Sequence, residues 1–462
     1  MNDIFRAFPT VRIAGIEGVD RSLYEDLFDN VPDGLQPSWF GVGLFRFLVV
    51  LAVLGRALFW VLRRMRLRLK PEKSYLLGSD YVSGHTNAIL WEEVADKKDD
   101  VLVVFRSDAF KREYNDSIEG YPSAVVTDGE LSILGAIRSI YGIMVSVWRL
   151  YLFCRGQACT ATLRDVCALP YRKVVYEAFF NRFPCQYFWG RDDYNAGHAM
   201  RTVVMRNLGT TSLGFMHGIS SITETTPQQR HVDFDIYYTQ GWDQARKNWL
   251  ETWPTHMMVR PIGSVGLSRE GLHRLSSGAP EDGVACFLSP CFYDDEVIET
   301  ISCVAIAFPE RQIFINIKSS DWTTAFGQKL NAALETFPKN VVVYDGLSYD
   351  LFFLCDTVLS VGSTLSAEAV QFHCHSFVLD YHSTQWIFNP YRRYPGVCVN
   401  SIDELLKRMT AVRPEVEFSE RPLWGSMIDL SGRVPWDEIR KDMGKPALDP
   451  PLTWRRPTLP TA

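Results

Sequence analysis

Short apolar runs alternate with longer amphipathic segments along the chain, from about residue 74 to residue 410. Val101–Phe105 and Val284–Leu288 are continuously apolar, which is typical of strands buried on both faces of a parallel sheet. Tyr194–Leu208 and Glu296–Phe308 have helical periodicity. Strands and helices that alternate at this spacing predict an α/β fold with parallel sheets and helices on both faces.

The other predicted elements follow the same alternation. The further strands are Tyr75–Leu77, Gln186–Trp189, Thr211–Met216, Ile236–Thr239, Met258–Ile262, Gln312–Ile317, Val341–Tyr344, Thr357–Val361, Ser376–Tyr381 and Val397–Val399. The further helices are Leu131–Phe153, Leu163–Phe183, Asp243–Trp253, Thr323–Phe337 and Ile402–Met409. Residues 264–283 are polar and contain Gly, Ser and Pro, so they are predicted to link two domains. The domains are residues 71–263 and 284–410, flanked by an N-terminal segment (1–38), an apolar basic segment (39–70) and a C-terminal tail (411–462).

The segment from Trp39 to Leu62 is almost wholly apolar, and the basic residues Arg63, Arg64, Arg66, Arg68 and Lys70 follow it directly. As a helix its 24 residues would span about 36 Å, which is enough to cross a bilayer. Arg46 and Arg56 disfavour crossing, whereas a helix in the membrane interface lets both reach the headgroups. The sequence leaves open a spanning helix, an in-plane helix and a buried helix.

We expect residues 39–70 to be a membrane-associated helix, peripheral or single-pass, that holds the chain on the cytoplasmic side of the membrane, because its basic cluster suits an anionic leaflet. Leu131–Phe153 is a second apolar, basic segment without an acidic residue. It is either a core helix or a continuation of the membrane-docking surface.

Composition narrows the class of protein. The 462 residues carry 48 basic and 54 acidic side chains, a net charge of −6, so no nucleic-acid partner is indicated. An apolar fraction of 47% and a charged fraction of 22% fit a globular chain of two domains. The ten cysteines include no CxxC pair, which indicates a reducing compartment and no zinc site. Neighbouring side chains of His373-Cys374-His375 point in different directions, so no metal is expected there either.

The stretch Asp356–Tyr381 reads as strand, tight turn, helix and strand. Gly362-Ser363-Thr364 is the turn, and either hydroxyl can cap the helix that follows. A helix start offers free backbone N–H groups and a positive dipole end, which suit a phosphate. Glu368, one turn further on, is placed to accept hydrogen bonds from ribose hydroxyls. An ordinary βαβ unit with a capped helix remains the alternative.

Four runs occur in a fixed order: FMHG at 215–218, RPIGSVG at 260–266, FINIKSSD at 314–321 and VGSTLSAEAV at 361–370. Their succession, over roughly residues 74–410, resembles GT-B glycosyltransferases of bacterial surface polysaccharide biosynthesis. It also resembles the related CDP-glycerol glycerophosphotransferase-like group. The resemblance implies two Rossmann-like doubly wound domains, with the nucleotide in the second and the acceptor in the first.

Carried onto this chain, the resemblance assigns the nucleotide to residues that follow strands of the second domain. Lys318 would meet a phosphate, although the chain has Lys318-Ser319-Ser320 where many relatives have Lys-Pro-His-Pro. Ser363, Thr364 and the helix start would hold the phosphates, and Glu368 would take the ribose. Ser289, after the first strand of the second domain, would face the cleft between the two domains.

Three residues of the first domain are candidates for deprotonating an acceptor hydroxyl. His217, before Gly218, resembles the His-Gly that closes the equivalent strand, and imidazole titrates in the range of a base. Asp192 and Asp193 also follow a strand, where the alternative is capping of the helix from Tyr194. A purely structural role remains the alternative for His217.

The sequence thus predicts a metal-independent glycosyltransferase without a cofactor, which uses a nucleotide-sugar as co-substrate. Its partners would be that donor, a membrane-held glycan or lipid-linked acceptor, and the membrane surface. Three alternatives stay open: a CDP-polyol phosphotransferase, a nucleotide-sugar epimerase and a non-catalytic GT-B scaffold.

Overall fold

A computed structural model gives the fold. It describes residues 39–81, 84–118, 120–154, 160–190, 196–216, 218, 232–242, 253–277, 281–291, 293–381, 391, 397–411 and 427–447. The described residues form two compact units. The first lies within Met1–His217, Ile222–Tyr238 and Asn248–Arg260, and the second within Gly218–Ser221, Thr239–Lys247 and Pro261–Ala462.

The first sheet has seven strands in the order β4-β3-β2-β6-β7-β8-β9. These strands are β2 (Tyr75–Asp80), β3 (Val101–Phe105), β4 (Ser123–Val125), β6 (Cys185–Gly190), β7 (Thr211–Phe215), β8 (Ile236–Thr239) and β9 (Met258–Pro261). The pairs from β4 to β8 run parallel. Two short strands, β1 (Met65–Arg66) and β5 (Leu131–Ser132), pair with each other outside this sheet.

The first unit also contains helices. They are α1 (Trp39–Arg64), α2 (Gly84–Val94), α3 (Asp108–Tyr114), α4 (Ile133–Cys154), α5 (Thr160–Arg182) and α6 (Ala196–Asn207). The sequence analysis gave no helix at α2 or α3. Gly209, which follows the end of α6, has a φ of 80°, a backbone conformation that favours glycine.

The second sheet has six parallel strands in the order β12-β11-β10-β13-β14-β15. These strands are β10 (Val284–Leu288), β11 (Ile313–Ile317), β12 (Val341–Val343), β13 (Thr357–Ser360), β14 (His375–Leu379) and β15 (Cys398–Val399). Its helices are α7 (Arg269–Ser277), α8 (Asp294–Ala307), α9 (Ala325–Leu334), α10 (Leu351–Leu354), α11 (Leu365–Gln371), α12 (Ile402–Ala411) and α13 (Pro435–Asp442). Counted from β10, the strand order is 3-2-1-4-5-6, that of a dinucleotide-binding sheet. The predicted α/β class with two Rossmann-like sheets is therefore confirmed.

The predicted linker at 264–283 is wrong as a linker. The last change of unit along the chain falls between Arg260 and Pro261, and helix α7 lies within the segment. Leu272 and Leu275 of α7 are buried, so the helix belongs to the second unit. The many polar residues of the segment are those of a surface helix with one narrow apolar stripe.

The C-terminal tail is likewise part of the second unit. Helix α13 contains Trp436, and the indole of Trp436 is fully buried. Its Nε1 donates a hydrogen bond to the carbonyl oxygen of Leu267 at 2.7 Å. Met427 and Ile428 pack in one cluster with Val370, which is a residue of helix α11.

From Phe47 to Arg64, helix α1 is buried on one side and exposed on the other. Val50, Ala57, Trp60 and Val61 lie in a cluster with residues of α4 and α5. The described residues contain one helical stretch, Ile133–Leu152 of α4, that is long and apolar enough to cross a membrane by length and composition, and 28% of it is buried.

Candidate nucleotide site

The second sheet has a switch point between β10 and β13, because the chain leaves these neighbouring strands towards opposite edges of the sheet. A crevice opens beyond the carboxyl ends of two such strands, and ligands of α/β sheets bind there. Ser289 follows β10 and Val361 follows β13. The hydroxyl of Ser289 donates to the carbonyl oxygen of Val361 at 3.5 Å. The structure therefore brings Ser289 and the predicted turn together.

The turn after β13 is held from two sides. Gly362 has a φ of 71°, which favours glycine. The Ser363 hydroxyl accepts from the Leu365 N–H at 3.3 Å, and the Ser363 carbonyl accepts from the buried Tyr391 hydroxyl at 2.7 Å. The Ser363 hydroxyl thus holds the first N–H of the helix, whereas Thr364 is the N-cap residue and its side chain caps no helix N–H.

The prediction that backbone N–H groups are free at the start of α11 is wrong. The amides of Leu365, Ser366, Ala367 and Glu368 all donate to oxygens of Ser363 or Thr364. Helix α11 is also only seven residues long, so its dipole is small. Any phosphate at this turn must be recognised by hydroxyls and by the turn itself, not by the helix start.

Thr364 packs against the glycine of the FMHG run. A Cβ atom placed on Gly218, which belongs to the second unit, would lie 2.8 Å from the Thr364 hydroxyl oxygen. Real Cβ contacts are not this short, so a residue without a side chain is needed at this position. That gives the glycine of the run a packing reason.

Glu368 is buried, with 4% of its surface exposed. Its Oε1 accepts from the Gln240 amide at 3.1 Å, and its Oε2 accepts from the hydroxyls of Ser264 at 2.6 Å and Tyr349 at 2.7 Å. All four residues belong to the second unit. A carboxylate has about four acceptor positions, so one further donor can still be accommodated. The ribose role of Glu368 therefore stays a prediction.

Two glycines of the RPIGSVG run make room for this network. A Cβ on Gly266 would overlap the Tyr349 ring, so the absence of a side chain allows the Tyr349 hydroxyl to reach Glu368. Gly263 has a φ of 80° and lies against the Gln371 amide, which accepts from the Ser264 N–H at 2.7 Å. The two glycines of this run therefore allow close packing around Glu368, a role that the sequence of the run alone does not indicate.

Burial and hydrogen bonding act in opposite directions on the pKa of Glu368. Burial raises the pKa of Glu368 above its ordinary 4.5, and the hydrogen bonds from Ser264, Tyr349 and Gln240 oppose that rise. Burial, together with the Glu368 carboxyl, raises the pKa of Tyr349 well above 10.0. The Tyr349 hydroxyl therefore acts as a donor at neutral pH.

Lys318 follows β11, which is the neighbour of β10. Its side chain is exposed, and the residue opens a single helical turn over Ser319–Thr323. Since β10, β11 and β13 are parallel, Lys318 lies beyond the same carboxyl ends of the strands as Ser289 and Ser363. The structure places the donor-site candidates at one edge, although Glu368 points into the unit's interior.

The three candidate bases, Asp192, Asp193 and His217, lie outside the described residues. The strands that precede them, β6 and β7, are described and are parallel neighbours, with Gly190 paired with Gly214. Both strands therefore end at the same edge of the first sheet. Their roles stay predictions from the sequence.

The sequence analysis missed a charged pair at the switch point of the first sheet, between β2 and β6. Asp80 ends β2, and its Oδ2 lies 2.7 Å from Nη1 of the buried Arg201 on α6. The Arg201 guanidinium also lies 4.7 Å from the centroid of the Phe188 ring. Asp80 and Arg201 are 121 residues apart in the chain, so no local pattern indicates the pair.

Across the part of the chain that the structure describes, no three His, Cys, Asp or Glu side chains are grouped to hold a metal ion. Since Asp192 and Asp193 fall outside that part, a metal-independent reaction stays a prediction. The residues that could hold the phosphates of a nucleotide offer hydroxyls and one lysine, which suit phosphate oxygens by hydrogen bonding and charge.

No protein-family model matches the chain, and no curated protein matches its sequence. Similar solved structures include a UDP-GlcNAc 2-epimerase from Neisseria meningitidis bound to UDP-GlcNAc, at 10% identity and a TM-score of 0.48, covering 80% of this chain and 99% of that chain. The wall teichoic acid polymerase TagF matches at 10% identity and a TM-score of 0.44, covering 87% and 98%. MurG of Acinetobacter baumannii matches at 10% identity and a TM-score of 0.40, covering 74% and 90%.

Proposed function

We propose that this chain is a glycosyltransferase that moves a sugar from a nucleotide-sugar donor to a membrane-held glycan or glycolipid, in surface polysaccharide synthesis on the cytoplasmic side of the membrane. The observation that carries the proposal is the switch point of the second sheet. Ser289, the Gly362–Thr364 turn and Lys318 follow three neighbouring strands there.

The donor's phosphates would lie on this edge. The hydroxyls of Ser363 and Thr364 can donate to phosphate oxygens, and that of Ser289 can do so by turning away from the Val361 carbonyl. The exposed Lys318 supplies a positive charge. As the sugar–phosphate bond breaks, negative charge builds up on the leaving nucleotide. Donors and a cation placed before the reaction stabilise that charge without a metal.

The acceptor's attack needs a base. His217 is our candidate, with Asp192 and Asp193 as the carboxylate alternatives, because all three follow strands that end at one edge of the first sheet. The base removes the proton of the acceptor hydroxyl while its oxygen forms a bond to the sugar's anomeric carbon. The nucleotide leaves with the electrons of the broken bond.

A thermal-shift panel of UDP, GDP, CDP, CMP and ADP tests the donor proposal. A nucleotide at about 100 times its Kd is expected to raise the melting midpoint by roughly 2–4 °C, since it binds the folded state only. Stabilisation by UDP, GDP or ADP supports a sugar donor, and stabilisation by CDP and CMP alone supports the polyol phosphate alternative. If none of the five raises the midpoint, the proposal fails.

A further inference from the structure

The exposed apolar side chains of the described residues are concentrated on two helices and one connecting segment. Fifteen of the 21 large hydrophobic side chains that are exposed lie on α1, on α4 or in Met65–Leu69. We call the helical part of this set the apolar face: Phe47, Leu48, Leu51, Phe59 and Leu62 of α1, and Ile133, Leu134, Ile137, Tyr141, Met144, Trp148 and Leu152 of α4. Apolar side chains scattered singly need no explanation, but a contiguous set marks an interaction surface.

The two helices present this face side by side. They run antiparallel: the Phe47 and Tyr151 rings meet at one end, with centroids 6.3 Å apart, and Met65 pairs with Leu131 at the other. Leu134, Ile137, Tyr141, Met144, Trp148 and Leu152 recur every three or four residues, which places them on one stripe of α4 about 27 Å long.

The opposite faces of both helices are already used within the first unit. Ala57 and Val61 of α1 and Ile143 and Val147 of α4 are buried in one cluster with residues of α5. Arg64, at the end of α1, pairs with Asp128 at 3.1 Å. A helix that crossed a bilayer would expose most of its circumference to lipid, whereas here only one side of each helix can contact lipid. The pair therefore fits a helix layer lying in a membrane interface.

The charges on these helices are all positive. No acidic residue occurs from Trp39 to Lys70 or from Leu131 to Phe153. Arg56, Arg63, Arg138 and Arg149 are exposed. A two-fold contact with a second copy would bring these arginines towards each other, which is unfavourable. An anionic lipid surface complements them, and Tyr141 and Trp148 suit the headgroup level.

We propose that the apolar face lies in the surface of an anionic bilayer, with α1 and α4 parallel to the membrane plane and neither crossing it. This deepens the proposed function, since it specifies how the first unit would meet a membrane-held acceptor. It joins the N-terminal helix that the sequence indicated to α4, for which the sequence left a core helix and a membrane-docking surface open. The two helices are about 70 residues apart in the chain.

Flotation of the full chain with vesicles tests this. The protein is expected to float with vesicles of phosphatidylcholine and phosphatidylglycerol, more weakly with phosphatidylcholine alone, and less as salt increases. The double variant Phe59→Glu/Ile137→Glu changes one exposed residue of each helix, 66% and 59% exposed. We expect it to lower the vesicle partition coefficient by about 10- to 100-fold, because it removes apolar area and adds negative charge.

Ile306→Glu is the matched control, since Ile306 is 68% exposed on α8 of the second unit. It should float as the wild type does. Undiminished flotation of the double variant overturns the proposal. So does a wild type that does not float but forms a dimer in sedimentation that the double variant abolishes, because the face would then bind a second copy. Nucleotide stabilisation of the double variant is measured in parallel, so failure of the membrane face and failure of the donor site are separate results.

Discussion

Replacing Glu368 with alanine is expected to lower the free energy of unfolding by about 3–5 kcal/mol, because it leaves buried donors without an acceptor. The donors are Gln240, Ser264 and Tyr349, and the carboxyl they share is 4% exposed. Because the sequence predicts that Glu368 takes the ribose of the nucleotide, we expect nucleotide stabilisation to disappear as well. Urea unfolding followed by tryptophan fluorescence measures the first effect, and the thermal-shift panel measures the second.

Two variants make this result specific. Glu299→Ala removes an exposed glutamate of α8 and should change stability by no more than about 0.5 kcal/mol. Glu368→Gln keeps the shape of the side chain but cannot titrate. Unfolding of Glu368→Ala at the urea concentration of the wild type would show that the network contributes nothing.

The pH dependence of Glu368→Gln follows from the raised pKa. Burial raises the pKa of Glu368 in the folded state above the ordinary 4.5, so between the two values the folded chain binds more protons than the unfolded chain. This contribution is fully present below pH 4.5 and is lost as the pH rises through the folded pKa. The wild type should therefore lose stability relative to Glu368→Gln over that range, and parallel pH profiles would contradict a raised pKa.

Replacing His217 with alanine is expected to lower the rate of sugar transfer by about 10²- to 10⁴-fold, the usual contribution of a positioned general base. Nucleotide stabilisation should not change, because the donor candidates lie on the other sheet. Transfer is measured as nucleotide released from the donor in the presence of acceptor-containing membranes, over a range of pH.

His273→Ala is the control for this change, since His273 is exposed on α7. It should keep the wild-type rate. A rate within about twofold of wild type in His217→Ala, combined with a large loss in Asp192→Asn or Asp193→Asn, would assign the base to a carboxylate and contradict the role of His217.

The strands of this fold were predictable because their signal is local. Val101–Phe105 and Val284–Leu288 are continuous apolar runs, and the structure has strands with these same limits. The linker was predicted wrongly because α7 buries only Leu272 and Leu275, a stripe too narrow to stand out among Ser, Gly and Pro. Composition alone does not distinguish such a helix from a connection between domains.

The site was predictable in position but not in its interactions. Ser289, Lys318 and the turn at Ser363 were predicted as site residues because each directly follows a predicted strand. The burial of Glu368 was not, because its partners Ser264 and Gln240 lie 104 and 128 residues away. Contacts of that separation depend on how the chain folds and leave no local pattern.

The nucleotide site at the β10–β13 switch point is tested most directly by calorimetric titration of the most stabilising nucleotide into the wild type, Ser363→Asp and Ser107→Asp. Both serines accept a hydrogen bond from a helix N–H, from Leu365 and Phe110 respectively, and aspartate preserves such a cap. The two variants therefore add the same charge with little change in stability.

We expect one nucleotide per wild-type chain, unchanged binding to Ser107→Asp, and at least about 100-fold weaker binding to Ser363→Asp, since a carboxylate about 4 Å from a phosphate repels it strongly. Equal affinity of all three proteins would contradict the site.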